Sequence, residues 1–442
     1  MKPNHITTIG SIAEVYDGPH ATPKKLEQGP YFLSISSLDK GRLDLRKSAF
    51  LSEDDFKRWT KRVTPKEGDL LFSYETRLGE AALMPDGVRA CLGRRMGLLR
   101  LNRKKVSPEY VLYAYLSPAF QQVIKANTIT GATVNRIALN ELPNFPIRIP
   151  PLDEQNHVAK LLSGIDKKIE LNNRINAELE AMAKTLYDYW FVQFDFPDDS
   201  PQGQGKPYKT SGGKMVYNPT LKREIPEGWD VDTLSSLIKF DKTGDWGKEE
   251  QEGNYTLQVD CIRGADINGL NGNGKIAAPN RFILQKNDHK LLAPFDLVIE
   301  ISGGSPTQST GRMAYMTDDV FDRFAHPLIC SNFCKAISLR DNDLFYCFAY
   351  LWKNLYVGGV LFGWEGKTSG IKNLLFDSFV TKYQVPIPPL GLAKQFFDFV
   401  APLEQKKQTL LKERAELESL RDWLLPMLMN GQVTVAGGGE LR

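Results

Sequence analysis

The apolar residues of this chain follow two alternating patterns. Up to about Pro150 they fall in short runs, such as Tyr31-Phe32-Leu33-Ser34-Ile35 and Asp69-Leu70-Leu71-Phe72-Ser73, separated by Gly, Asp and Pro turns. That pattern predicts a mixed α/β globule with an irregular sheet. A helix fits Pro108 to Lys125, with Pro118 as its break. From Asp153 to Trp190 the period becomes seven: Val158, Ile165, Asn172, Leu179 and Leu186 form a seam, flanked by Leu161, Leu162, Ile169, Ile175 and Met182. A second globular stretch follows, and then a second seam of Phe396, Leu403, Leu410, Leu417 and Leu424.

The two halves are copies. Ile149-Pro150-Pro151-Leu152 recurs as Ile387-Pro388-Pro389-Leu390, and Ala177-Glu178-Leu179-Glu180 as Ala415-Glu416-Leu417-Glu418, both displaced by 238 residues. Ala114-Tyr115-Leu116 answers Ala349-Tyr350-Leu351, and Gly68-Asp69-Leu70-Leu71 resembles Phe295-Asp296-Leu297-Val298. Two copies of a globule followed by a helix predict approximate two-fold symmetry. Neither seam can be left in water, so the two helices are expected to pack against each other, with Asn172 helping to set register. Gly164 and Pro402 occupy equivalent places, and each predicts a bend. Some 35 residues of helix would span about 50 Å, enough to hold two globules apart.

The fold class is therefore α+β. The expected boundaries are a first domain over 1–151, its helix over 152–191, a linker over 192–224, a second domain over 225–389, its helix over 390–431 and a flexible tail over 432–442. The Pro- and Gly-rich segment from Pro197 to Pro207 suggests the linker, and Trp229 is expected to anchor the second core.

Composition narrows the class. The 442 residues are 42% apolar, enough for two cores. No signal peptide follows Met1, and no apolar run approaches membrane-spanning length, so a cytoplasmic location without membrane attachment is expected. Five cysteines predict reduced thiols used for packing. Net charge is only +3, but Arg89, Arg94, Arg95, Arg100, Arg103, Lys104 and Lys105 run without an acid from Gly87 to Val106, a patch suited to phosphates or simply to solvent.

Catalytic constellations are missing. His326, Cys330 and Cys334 are spaced by four, as three ligands on a helix face would be, but no fourth ligand is evident and no metal is predicted. Gly366-Lys367-Thr368 lacks the first glycine of a phosphate loop, because Leu361 stands there. Gly203-x-Gly205 lies in the linker, a Gly-x-Ser-x-Gly elbow is absent, and Asn218-Pro219-Thr220 lacks the second proline and aromatic of a methyltransferase base-gripping loop. The chain is expected to bind rather than catalyse.

The order of these motifs resembles the specificity subunit of type I restriction-modification systems. It rests on the globule, the Ile-Pro-Pro-Leu corner with Gln155 or Gln395 soon after, and the heptad helix, all given twice. Further details are Thr130 to Ile137 before the first corner, Tyr187-Asp188-Tyr189-Trp190-Phe191, Ile225-Pro226-Glu227-Gly228-Trp229, and Leu424 to Gly431. The resemblance implies two target recognition domains that each read half of an asymmetric, interrupted site in double-stranded DNA, and an antiparallel coiled coil that sets the gap. It also implies two methyltransferase subunits using S-adenosylmethionine, motor-nuclease restriction subunits using ATP and magnesium, and no active site or cofactor in this chain. A protein-binding coiled-coil scaffold, a self-contained methyltransferase or nuclease, and the specificity subunit of a type II-like modification enzyme are the alternatives.

On that reading the DNA-contacting candidates fall in matched segments. After the central strand stand Ser73, Tyr74 and Arg77, answered by Ser305, Gln308 and Arg312; arginine can pair bidentately with guanine. Before the proline corner stand Thr133, Asn135 and Arg136, answered by Lys367, Thr368, Lys372 and Asn373. Arg94 and Arg95 are candidates for phosphate contacts.

Overall fold

A computed structural model describes residues 5–19, 22–131, 134–201, 203–272, 274–303, 307–368 and 371–435. The chain divides into one unit of residues 1–169 with 416–442 and a second of residues 170–415. Two long helices, Leu152–Tyr187 and Leu390–Met429, each contribute one part to each unit.

In the first unit, strands β1 (Ala13–Asp17), β2 (Leu70–Ser73), β3 (Ala81–Leu83) and β4 (Met96–Leu101) form an antiparallel sheet in the order β1-β4-β2-β3. Central strand β2 is buried throughout because both of its faces are covered. Leu70 and Phe72 face a core with Leu99, Tyr110 and Tyr115, while Leu71 faces another with Leu33, Ala82 and Leu98, as the two-residue period of a strand requires. Helix Pro108–Leu116 starts on the hydroxyl cap of Ser107 and stops at Ser117, which caps Pro118–Ala126 in turn. Val158, Leu162, Ile165 and Ile169 of the first long helix, with Leu424, Leu428 and Met429 of the second, belong to the same core as Tyr110 and Tyr115.

The second unit repeats this plan. Strands β5 (Ile238–Thr243), β6 (Asp296–Glu300), β7 (Met313–Tyr315) and β8 (Cys334–Leu339) lie in the order β5-β8-β6-β7. In both units a short strand before the first helical turn pairs with the strand that enters the proline corner: Ile6–Thr8 with Pro146–Arg148, and Asp230–Thr233 with Gln384–Ile387. A parallel pair recurs as Leu26–Phe32 with Ala90–Cys91 and as Tyr255–Ile262 with Leu328–Cys330. The turn into the central strand is also shared. Gly68 and Phe295 both adopt left-handed φ, 77° and 68°, which glycine accepts without strain and phenylalanine does not. Phe295 is retained by its ring, which meets Phe345 edge-on at 5.2 Å. Trp229 is buried and packs on Phe194 and Phe196.

Within the second unit the helices run antiparallel, since Tyr187 meets the ring of Phe396 while Asn172 donates to Glu413 at 2.8 Å. The expected seam is corrected in character. Val158, Ile165, Phe396, Leu410 and Leu424 are buried, but Leu179, Leu186, Leu403 and Leu417 are only half-buried. Val158, Ile165, Phe396 and Leu424 are absorbed into the globular cores. Further along, the buried positions turn polar: Asn172, Asn176, Glu404, Lys407, Gln408 and Arg414. Each globule is tied to this frame through an acid at the same repeat position. Tyr113 donates to Asp166 at 2.7 Å, and Tyr350 donates to Glu404, 238 residues on, at 3.2 Å.

Three expectations change. Gly164 and Pro402 lie inside helices that continue through them; the roughly 3 kcal/mol that an interior proline costs is offset by burial of Phe396 and Val400 in the turns before it, each worth about 2 kcal/mol. The segment expected as a linker forms two β ribbons, Pro197–Asp198 with Lys206–Pro207 and Met215–Asn218 with Arg223–Pro226. In the expected tail, Val433 and Val435 still pack on the first core, and residues 436–442 lie outside the described residues.

Candidate nucleic-acid interface

In the first unit, three segments far apart in sequence meet beyond the end of β2. The Tyr74 N–H donates to the Arg95 carbonyl, the Thr76 N–H to the Asn135 carbonyl, and the Ile137 N–H to the Tyr74 carbonyl. Glu75 and Arg136 form a bridge, so the hairpin Thr128–Ile129 with Arg136–Ile137 continues this edge. Thr76 and Arg95 both hold φ near 69°, an unusual conformation for residues with side chains. It is maintained by the bonds just named and by the Arg95–Glu75 ion pair at 3.0 Å.

The predicted residues are sorted by this geometry. Arg94, Asn135 and Arg136 are exposed on the edge, and Arg95 is half-exposed beside them. Among the described residues neither Arg94 nor Arg136 makes a side-chain hydrogen bond or ion pair. Ser73 is internal, its hydroxyl donating to the Glu75 carbonyl at 2.7 Å. Tyr74 is buried as well, and burial pushes its phenol up from the ordinary range. Arg77 is partly held by the Ile35 carbonyl at 3.1 Å and Glu80 at 3.2 Å. Thr133 lies outside the described residues.

The second unit builds the equivalent edge as a sheet. Ser302–Gly303, Ile371–Leu374 and Glu365–Thr368 pair in register, with Ser302 opposite Asn373 and Gly366 on the other side of it. The Ser302 hydroxyl donates to Asn373 Oδ1 at 2.6 Å. Gln308 is exposed and donates to the Tyr356 hydroxyl at 3.3 Å. Arg312 is drawn inward by a bidentate pair with Glu300 at 2.6 and 2.8 Å, which pushes its guanidinium further up. Lys372 is 3.2 Å from Glu365. Burial alone would raise the Glu365 carboxyl, but the Thr310 N–H, Lys372 and the hydroxyls of Thr310 and Ser309 outweigh it and hold it below the usual carboxylate range. Ser305 and the side chains of Lys367 and Thr368 lie outside the described residues.

The described members of the predicted set therefore gather on one edge per globule, although several are committed internally. Glu75, Glu80, Glu300 and Glu365, which hold the predicted cations, did not stand out in the sequence, because the pairings depend on sheet register and turn shape. Cys330 and Cys334 lie on strand Leu328–Cys330 and on β8 rather than on a helix face, and His326 is engaged with Asp260 at 3.3 Å. All five cysteines are buried, which pushes the Cys91, Cys261 and Cys334 thiols up to about 12. Among the described residues no cluster of potential metal ligands occurs, and no helix is long and apolar enough to cross a membrane.

Residues 1–181 match the type I restriction modification DNA specificity domain. Similarity to specificity subunits then runs along nearly the whole length. The chain is 23% identical to the type I restriction enzyme MjaIX specificity subunit of Methanocaldococcus jannaschii, over 97% of this chain and 90% of the relative. To the putative MjaX specificity subunit of the same organism it is 22% identical, over 97% and 93%. Its fold is similar to that of a type I restriction-modification S subunit from M. genitalium, with a TM-score of 0.59 at 17% identity and 97% coverage of each chain.

Proposed function

We propose that this specificity-subunit relative reads an asymmetric bipartite site in double-stranded DNA, one half with each globule, and directs methyltransferase and restriction subunits to it. The observation that carries this reading is the recurrence of one polar edge, at the same place in two topologically equivalent globules, with different side chains on each. A shared frame with unlike reading edges suits an asymmetric target, because helix geometry fixes the spacing while each edge sets its own half-site. On this reading the chain is non-catalytic and needs no cofactor of its own. S-adenosylmethionine, ATP and magnesium are used by its partners, in the cytoplasm.

Two like partners suit the helices for a related reason. Leu152 and Leu390 are exposed and stand 238 residues apart, as do Met182 and Leu420. Apolar side chains left in solvent at matched repeat positions favour one copy of the same protein at each, as two methyltransferase subunits would be.

The test is to co-express the chain with its companion methyltransferase and map methylated adenines across the genome. A single interrupted motif that disappears when this chain is deleted supports the reading; methylation independent of the chain refutes it.

A further inference from the structure

The two globules share a turn whose frame is constant and whose contents are not. It joins strand Ala90–Cys91 to β4 in the first globule and strand Leu328–Cys330 to β8 in the second. The Met96 N–H closes it on the Gly93 carbonyl at 3.2 Å, and the Cys334 N–H closes its counterpart on the Ser331 carbonyl at 2.9 Å. Each turn lies against a glycine just past an edge strand: a Cβ on Gly18 would stand 2.5 Å from the Gly93 oxygen, and one on Gly244 would stand 2.0 Å from the Ser331 oxygen. Each turn also anchors a polar edge. As the Arg95 carbonyl accepts the Tyr74 N–H, so the Phe333 carbonyl accepts the Ile301 and Ser302 N–H groups at 2.9 and 3.2 Å, and Ile137 and Leu374 donate in turn to the Tyr74 and Ile301 carbonyls.

The central residues are Arg94 and Arg95 in the first turn, and Asn332 and Phe333 in the second. Asn332 is exposed and Phe333 is 53% exposed. Among the described residues the Asn332 amide makes no hydrogen bond and the Phe333 side chain no ring contact. Turn centres favour Gly, Pro, Asn, Asp and Ser, so the backbone gives no reason for a phenylalanine here. Neither side chain has a charge to offer a phosphate. A carboxamide can grip the N6 and N7 edge of adenine, and the apolar group that bases display in the major groove is the thymine 5-methyl.

We infer that the Asn332-Phe333 turn reads an A·T-containing step in the half-site of the second globule, Asn332 gripping an adenine edge and Phe333 covering a thymine methyl in the major groove. This rests on the DNA-reading proposal above and adds two specificity-determining residues to it. At the equivalent place in the first globule Arg94 presents a guanidinium, suited to guanine or to a phosphate. Exchange of two side chains on an unchanged frame therefore alters what is read without disturbing the strands on either side.

The complex of the full chain with its methyltransferase is titrated against fluorescent duplexes in which each thymine of the mapped site is replaced in turn by uracil, which lacks the methyl, and each adenine by 7-deazaadenine, which lacks N7. At one thymine the exchange should weaken binding about fourfold, the worth of burying a methyl group. Phe333→Ala should bind thymine and uracil equally at that position, Phe333→Leu should keep part of the preference, and the other positions should respond as in the parent. At a neighbouring adenine 7-deazaadenine should cost about fivefold, a difference that Asn332→Ala erases. Circular dichroism of the variants checks the fold, and the parent scan stands without them. A parent that binds every uracil duplex as tightly as the thymine one, or a Phe333→Ala variant that keeps every thymine preference, would overturn the inference; the first result joined to weaker binding by Phe333→Ala would make the ring a wedge between bases. A complex that binds its site no better than a scrambled duplex would refute the DNA-reading proposal itself, so the two failures are distinguishable.

Discussion

The Lys242 ammonium lies 2.6 Å from Asp296 Oδ2, with both side chains nearly withdrawn from solvent. The same carboxylate accepts the Ala293 N–H and the Ser338 hydroxyl, so it fastens the turn into β6 to the adjacent strand β8 and, one strand beyond, to β5. Its counterpart Asp69 accepts the Lys66 N–H and pairs with Arg100 at 2.7 Å, where the guanidinium is more exposed.

Removing one partner of a buried pair strands the other. Asp296→Asn should therefore destabilise the chain by about 3 kcal/mol, read as a lower midpoint in urea unfolding, and Asp69→Asn should cost less because solvent can cover Arg100. An equal loss at both positions would contradict the buried-pair account.

Glu365 has its carboxyl held below the usual range, so it binds a proton less readily folded than unfolded. The stability it contributes is full above its unfolded value near 4.5 and is lost as pH falls through the lower folded value. Acid unfolding of Glu365→Gln should show a shallower decline below pH 4.5 than the parent. Superimposable acid profiles would rule out this contribution.

Asn176 is buried on the first long helix, and among the described residues neither atom of its amide finds a hydrogen-bond partner. An unsatisfied buried polar atom costs about 1–3 kcal/mol. Asn176→Leu should raise the thermal midpoint by several degrees, and a fall in the midpoint would show that the amide is satisfied in solution.

Met182 and Leu420 are exposed, so a charge there should leave the fold intact. Met182→Glu and Leu420→Glu are each expected to weaken methyltransferase association about tenfold by removing apolar contact and burying a carboxylate. Calorimetric titration of each variant, with circular dichroism as a control, checks this. Unaltered affinity in both would remove these positions from the docking surface.

Much of this architecture was legible from spacing. The 238-residue offset of the proline corners also relates Asp166 to Glu404, each of which accepts a tyrosine hydroxyl, and the heptads located both long helices. The fate of the seam was less legible, since a period of seven says that a side chain seeks cover but not whether a helix or a globule supplies it. Phe396 and Leu424 found cover in the two globular cores. Arg312 looked available for DNA because its partner, Glu300, is brought to it by the hairpin joining β6 to β7 and not by sequence proximity. At Pro402 the helix continues through the proline, because burial of Phe396 and Val400 in the preceding turns outweighs its local preference for a break.

Leu424, Leu428 and Met429 complete a core begun by Ile9 and Ile12. During synthesis the first unit must therefore wait for nearly the last helical turn to leave the ribosome, while every residue of the second unit, 170–415, has already been made. Domains usually mature in the order in which they are translated; here the later one can be finished first. Until then the part of that core which Leu424, Leu428 and Met429 complete lacks its last apolar partners.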